Sequence, residues 1–153
     1  MVFDVMGRVT RVFPVGAESV ETECWVYAAT DLSKGESVKR IKITRALWDT
    51  GASCSLVSAR LAKALGLEPV GKMGVSGYNR GVDVRDAYLV HIGLPTRDIV
   101  TYIGAMECDS EDYDVVIGMD VIGKGDFAVT NGHGEMKFSF QIPSVADIDF
   151  TKG

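Results

Sequence analysis

Long apolar runs, paired cysteines and basic clusters are all missing from this sequence. No apolar stretch approaches the ~20 residues that a membrane-spanning helix needs, so no transmembrane segment and no membrane partner are expected. The first eleven residues are broken by Asp4 and Arg8 and hold no apolar core of the kind a secretory leader uses, so no leader is expected either. Lys and Arg number 16 against 21 Asp and Glu, and the resulting net charge of −5 leaves no basic stripe for nucleic acid. Cys24, Cys54 and Cys108 are odd in number, far apart and never in a C-x-x-C pair, which is the pattern of reduced thiols and a cytoplasmic location. Histidine is scarcer still. His133 sits in Asn-Gly-His-Gly, an exposed turn, and His91 lies in an alternating stretch that suits a solvent-side or hydrogen-bonded imidazole. Neither has a cysteine near it in sequence, so no metal and no cofactor are expected.

Four prolines stand beside 17 glycines, a ratio that favours many turns and an all-β chain over a helical bundle. With 153 residues, 46% of them hydrophobic, one domain with its own core is expected. Residues 8–15 read as a strand that Pro14 limits to a sheet edge. Residues 19–28 alternate cleanly, with Val20, Thr22, Cys24 and Val26 on one face. A polar loop follows at 30–37. Residues 38–44 then alternate again, with Ile41 and Ile43 inward and Arg40 and Lys42 outward. Ser58 is placed as the N-cap of one short helix carrying Leu61, Ala64 and Leu65 on its apolar face. Gly66 ends it, Leu67 folds back and Pro69 blocks continuation.

Residues 70–85 form the most glycine-rich structured stretch and read as a hairpin with its tip near 77–81. Two more strands, 87–92 and 99–106, are joined at 93–95. The acidic run 107–114 lacks the regular spacing of a calcium loop and reads as solvated. A buried strand at 115–117 precedes a terminal hairpin, 127–130 and 135–140, in which Met136, Phe138 and Phe140 share a face. No internal repeat or linker divides the chain. It is expected to form a single domain, with a core at about 38–140, an N-terminal strand extension at 1–37 and a tail at 141–153.

The most informative stretch is Ala46-Leu47-Trp48-Asp49-Thr50-Gly51-Ala52-Ser53. The alternation stops at 46–48, as in a strand buried on both sides. The strand then runs straight into an acid, which is costly in a core unless the acid is paired or does chemistry. About 65 residues later comes Asp114-Val115-Val116-Ile117-Gly118-Met119-Asp120. Together these resemble the two landmarks of the retropepsin-like aspartic peptidases, in particular the single-domain bacterial and cellular kind. The resemblance covers roughly residues 41–140.

The resemblance implies a retropepsin-like closed barrel with one short helix after the catalytic loop and a flap hairpin. It implies Asp49 as the catalytic acid, with Thr50, Gly51 and Ala52 supporting its loop. Val116, Ile117 and Gly118 would form the wall beneath the loop, and Val75, Ser76, Gly77 and Tyr78 would form the flap. Aspartic peptidases need two carboxylates around one water. This sequence holds one Asp-Thr-Gly, so the implied enzyme is a homodimer that acts on peptides with Asp49 from each copy. Asp120 is expected to be structural rather than the second acid. Ser53 and Cys54 replace acids that viral members carry, and Met119 replaces their usual Arg, so substrate preference does not transfer. Two other readings compete with the endopeptidase. One is a non-catalytic dimerisation or peptide-binding module on the same fold. The other is an unrelated β-barrel with a chance motif.

Overall fold

The computed structural model describes residues 2–4, 7–34, 37–76 and 81–152. Among these described residues, eleven strands build two sheets. Six of them close a ring in the order β3 (Val20–Ala28), β4 (Arg40–Trp48), β9 (Val115–Ile117), β5 (Leu56–Ser58), β8 (Ile99–Cys108) and β7 (Val82–Gly93). β7 then pairs back onto β3, from Trp25 opposite Gly93 to Ala28 opposite Val90. β6 (Gly71–Ser76) hangs outside the ring as the antiparallel partner of the first half of β7. This is the closed, mostly β architecture expected of the retropepsin-like fold. Closure removes the free edges that an open sheet would present.

The strand patterns explain the ring. Val20, Thr22, Cys24 and Val26 are buried along β3, while Glu21, Glu23, Trp25 and Tyr27 between them are only partly covered. A register shift between Thr22 and Cys24 bends β3 against β4. β9 has no such alternation, because all three of its residues are buried. It lies between β4, to which it is parallel, and β5, to which it is antiparallel. His91 is fully buried rather than solvent-side. Its Nδ1 accepts from the Tyr102 amide at 2.9 Å and its Nε2 lies 2.8 Å from the Thr30 carbonyl, so both ring nitrogens have partners. His133 occupies an exposed turn with a φ of 59°.

α1 (Ala59–Leu65) follows β5 directly. The Ser58 Oγ accepts from the Leu61 amide at 3.1 Å. Gly66 takes a left-handed φ of 70°, and the Leu67 amide donates back to the Ala62 carbonyl. The buried face is Leu61, Ala62 and Leu65, whereas Ala64 is exposed and offers its carbonyl to Lys39. The apolar arc is therefore rotated from the expected one toward Ala62. A single further turn, α2 (Met119–Ile122), follows Gly118 and buries Val121 and Ile122.

The second sheet has the order β1 (Val2–Asp4), β2 (Arg8–Phe13), β11 (Met136–Gln141) and β10 (Asp126–Thr130). Here the edge expectation for residues 8–15 fails. β2 is an interior strand between β1 and β11, and it ends at Phe13, so Pro14 falls beyond the ladder and removes no hydrogen bond. One face of this sheet carries Val9, Phe127, Met136, Phe138 and Phe140 into the core. Trp48, the last residue of β4, sits on that face with its ring centroid 5.1 Å from Phe138 and 4.9 Å from Phe140. Its Nε1 donates to Thr22 Oγ1 at 2.8 Å. This aromatic joint locks the barrel to the second sheet one residue before Asp49.

The tail starts across the other face of that sheet. The Asp126 carboxylate accepts from Gln141 Nε2, Ser144 Oγ and the amides of Val145 and Ala146. These donors hold its carboxyl far below the ordinary carboxylate range, with the Ser144 hydroxyl the largest influence. The acidic run is also less free than expected, since Asp109 pairs with Arg85 and Asp114 with Arg60. Truncating the fully buried Phe138 to Ala opens the joint beneath Trp48 and should cost about 3–5 kcal/mol of stability, read as a lower urea midpoint at unchanged slope.

Candidate functional site

Asp49 stands where β4 ends, half-buried. Its amide donates to the Ile117 carbonyl at 2.9 Å, which continues the β4–β9 ladder by one rung into the loop. The chain then turns tightly. The Gly51 amide donates to Asp49 Oδ1 at 2.8 Å, and the Ala52 amide donates to the Asp49 carbonyl at 3.2 Å. The acid is thus held by its own loop through one oxygen, while Oδ2 makes no hydrogen bond among the described residues. Thr50 is exposed, and its hydroxyl likewise has no partner among the described residues.

The far side of the loop is clamped onto Gly118. The Met119 amide donates to the Ala52 carbonyl at 2.8 Å. A Cβ at residue 118 would lie 2.6 Å from Cys54 backbone atoms and 2.9 Å from the Ala52 carbonyl oxygen, so only glycine allows the two segments this close. Asp120 secures the exit. Its Oδ2 accepts from the Ser55 amide at 2.9 Å and its Oδ1 accepts from Ser55 Oγ at 2.7 Å. Ser55 Oγ in turn accepts from the Gly118 amide at 3.1 Å. Both Asp120 oxygens are therefore committed to the loop's backbone and to Ser55.

The structure brings Asp49, Thr50, Gly51 and Ala52 together with Val116, Ile117 and Gly118 in one assembly. Of the expected flap residues, Val75 and Ser76 lie at the end of β6, paired with Asp83 and Val82. Gly77 and Tyr78 lie outside the described residues. Sequence reasoning missed Ser55, the buried hub that ties Gly118 to Asp120. A single serine carries no pattern, and only its burial at the loop exit marks it.

Asp49 and Thr50 open onto a cleft of about 700 Å³ whose walls include Leu47, Tyr113, Phe127 and Val129. At its rim, the Tyr113 hydroxyl donates to Glu21 Oε1 at 2.6 Å, and Arg45 grips Glu21 with Nε and Nη2 at 2.8 and 3.1 Å. The Arg45 hydrogen bond, followed by that of Tyr113, lowers the Glu21 pKa from 4.5 to about 2. The same contact raises the Tyr113 pKa. Among the described residues, the acids lining the cleft are Asp49 and Glu18, and Glu18 is an exposed loop residue with no hydrogen bond there to hold it near Asp49.

A family model described as aspartyl protease matches residues 37–121. Among solved structures, a retropepsin-like aspartic protease from Rickettsia conorii is similar at 10% identity and a TM-score of 0.51, covering 88% of this chain and 94% of that one. The retroviral protease-like domain of Ddi1 from Leishmania major is similar at 14% identity and a TM-score of 0.45, covering 80% of this chain and 94% of that one. No curated protein matches the sequence.

Two outcomes test the site's scaffold. Replacing Asp120 by Ala strands the Ser55 amide and hydroxyl and should cost about 1–3 kcal/mol in urea unfolding, with Asp120→Asn recovering part of it. Glu21 titrates below its unfolded value, so its contribution is present above about pH 4.5 and is lost as the pH falls toward about 2. The wild type should therefore lose more stability between about pH 6 and pH 3 than Glu21→Gln does, measured as the shift in urea midpoint.

Proposed function

Since the chain belongs to the aspartyl protease family, we propose that it is an aspartic endopeptidase whose catalytic pair is Asp49 from each of two copies. The observation that carries this reading is the state of the carboxylates at the loop. Asp49 faces the cleft with one oxygen uncommitted, while Asp120 has both oxygens bound to Ser55. One chain thus offers one available acid in an ordered loop, and the chemistry needs two.

In the proposed dimer the two Asp49 carboxylates share one proton and hold a water between them. The ionised member takes a proton from that water as it attacks the scissile carbonyl carbon. The protonated member hydrogen-bonds the carbonyl oxygen, where negative charge develops. Each Asp49 is already oriented by the Gly51 amide, so little reorganisation is needed at the moment of attack. The exposed Thr50 hydroxyls are free to bond across the axis, and the Gly51 carbonyl can accept from the substrate backbone. A flap of Val75, Ser76, Gly77 and Tyr78 would cover an extended peptide and pair with it as a strand does. Ala52, Val116, Ile117 and Gly118 keep the loop from sinking under load.

Digestion of a mixed peptide library tests this reading. Wild type should cleave, Asp49→Asn should lose about 10³-fold or more in kcat/KM, and Glu18→Gln should keep its activity. The pH–rate profile should be bell-shaped, because only the singly protonated pair is active. Cleavage that survives in Asp49→Asn, or an inert wild type from acidic to neutral pH, would overturn the assignment. The inert case would leave a peptide-binding or dimerisation module.

A further inference from the structure

On the outside of the barrel, the charges of β3 and β4 are matched until one end of the strands. Glu21 and Glu23 project from β3 between its buried residues, and each holds a cation of β4, Arg45 at 2.8 Å and Lys42 at 2.8 Å. The next two outward residues of β3 are aromatic, Trp25 and Tyr27. Arg40, opposite Tyr27, therefore meets a phenol where its neighbours meet an acid. Its Nη1 donates to the Tyr27 hydroxyl at 3.3 Å, and no carboxylate pairs with it among the described residues. A cleft of about 460 Å³ lies over these side chains, bounded on its other side by the β7–β8 turn. Gly93 keeps it open. A Cβ there would stand 3.2 Å from the Tyr27 ring and 3.3 Å from Trp25 Cβ. Ile99, 41% exposed, adds an apolar wall. In the turn, Arg97 takes a left-handed φ of 72°, a conformation that glycine or asparagine usually supplies, and it too lines the cleft.

We infer that this cleft binds a small aromatic carboxylate, with its ring against Trp25 and Tyr27 and its carboxylate on Arg40. The size suits a small-molecule site. The charge suits an anion. Arg40 and Arg97 line the cleft and, among the described residues, no acid does, in a chain whose net charge is −5. A guanidinium offers two parallel N–H donors to a carboxylate, a stronger pairing than one long bond to a phenol oxygen. The walls suit a ring. Lys42 lies 5.4 Å from the Trp25 ring centroid and is held by Glu23, so it packs the indole rather than competing for the anion. An extended peptide would need free backbone groups to pair with. Here β3 is bonded on both sides, to β4 and to β7, so recognition falls to side chains and favours a compact ligand. The site is independent of the endopeptidase reading. Arg40 opens β4 and Asp49 follows its last residue, which separates them by about 25 Å along the strand.

Titration with 2-naphthoate, followed by heteronuclear NMR, tests the site. The acid should bind with a Kd below about 1 mM and shift the Trp25 indole N–H and the amides of Gly93 and Ile99. The amides of Asp49 and Gly51 should stay in place. 2-Naphthamide, with the same rings and no charge, should bind about tenfold more weakly or worse. Arg40 is exposed, so Arg40→Gln keeps the fold and should weaken naphthoate binding by about tenfold or more. Lys42→Gln and Asp49→Asn should bind within about twofold of wild type. The assignment is refuted if binding is weaker than about 1 mM, if the amide or Arg40→Gln binds as tightly as the reference, or if the shifts centre on Asp49. It is also refuted if Lys42→Gln weakens binding as much as Arg40→Gln, the mark of unspecific attraction. Preference for an N-acetylated peptide ending in phenylalanine over naphthoate would make chain termini the ligand and would equally rule out a small acid.

Discussion

The fold depends on one strand held between two others. β9 is three residues long, buried on both sides, and bonded to β4 on one flank and β5 on the other. β4 delivers Asp49, and β5 receives the chain after the loop. The loop is therefore a bridge whose two piers are fastened to the same strand. Gly118, the next residue, lets the bridge rest on β9 at backbone distance. Remove the strand and the acid is a surface aspartate on a frayed end. Keep it and the Asp49 amide, the Gly51 amide and the Ala52 carbonyl each have one available geometry. Rigidity here comes from backbone bonds anchored on a buried strand, where an unmade bond is costly.

That constraint explains the pattern of legible and illegible features. The loop was legible because its requirements are local. Asp49 after an apolar run, Gly51 in the turn, and Gly118 after Val116 and Ile117 each answer a need that only a few residue types meet. The ends of α1 were legible for the same reason, since Ser58 and Gly66 satisfy the helix's own orphan backbone groups. The strand alternation in β3 and the shared face of Met136, Phe138 and Phe140 follow from burial on one side. What escaped was decided by partners far along the chain. Pro14 marks an edge only if it lies inside a ladder, and the ladder stops at Phe13 because β11 does. What α1 packs against, not its periodicity, buries Ala62 and exposes Ala64. Ser55 matters through Asp120, 65 residues later, and a lone serine advertises nothing.

The second sheet has two roles that its sequence did not separate. Its inner face completes the core, with Trp48 as the shared piece. Its outer face carries the tail that Asp126 fastens. The aromatic joint is the mechanical link between them and the loop. A shift of the sheet against the barrel would move Trp48, and Trp48 is covalently next to Asp49. The position of the acid is thus set twice, by β9 beneath it and by the phenylalanines beside it.

A site divided between two identical chains, as proposed here, ties activity to concentration as well as to structure. A ligand that binds only the folded, paired state stabilises it by mass action, and a second copy is such a ligand. Dilution would then remove activity without unfolding either barrel, because β9, Gly118 and Ser55 hold each half-site without help from a partner. The division also bears on the acid itself. Alone, Asp49 has one hydrogen-bond donor and access to the cleft. Only the approach of a like charge forces two carboxylates to share a proton. The chemistry would thus be created at the moment of pairing. Each chain would carry a finished scaffold and half of the acid pair until its copy arrives.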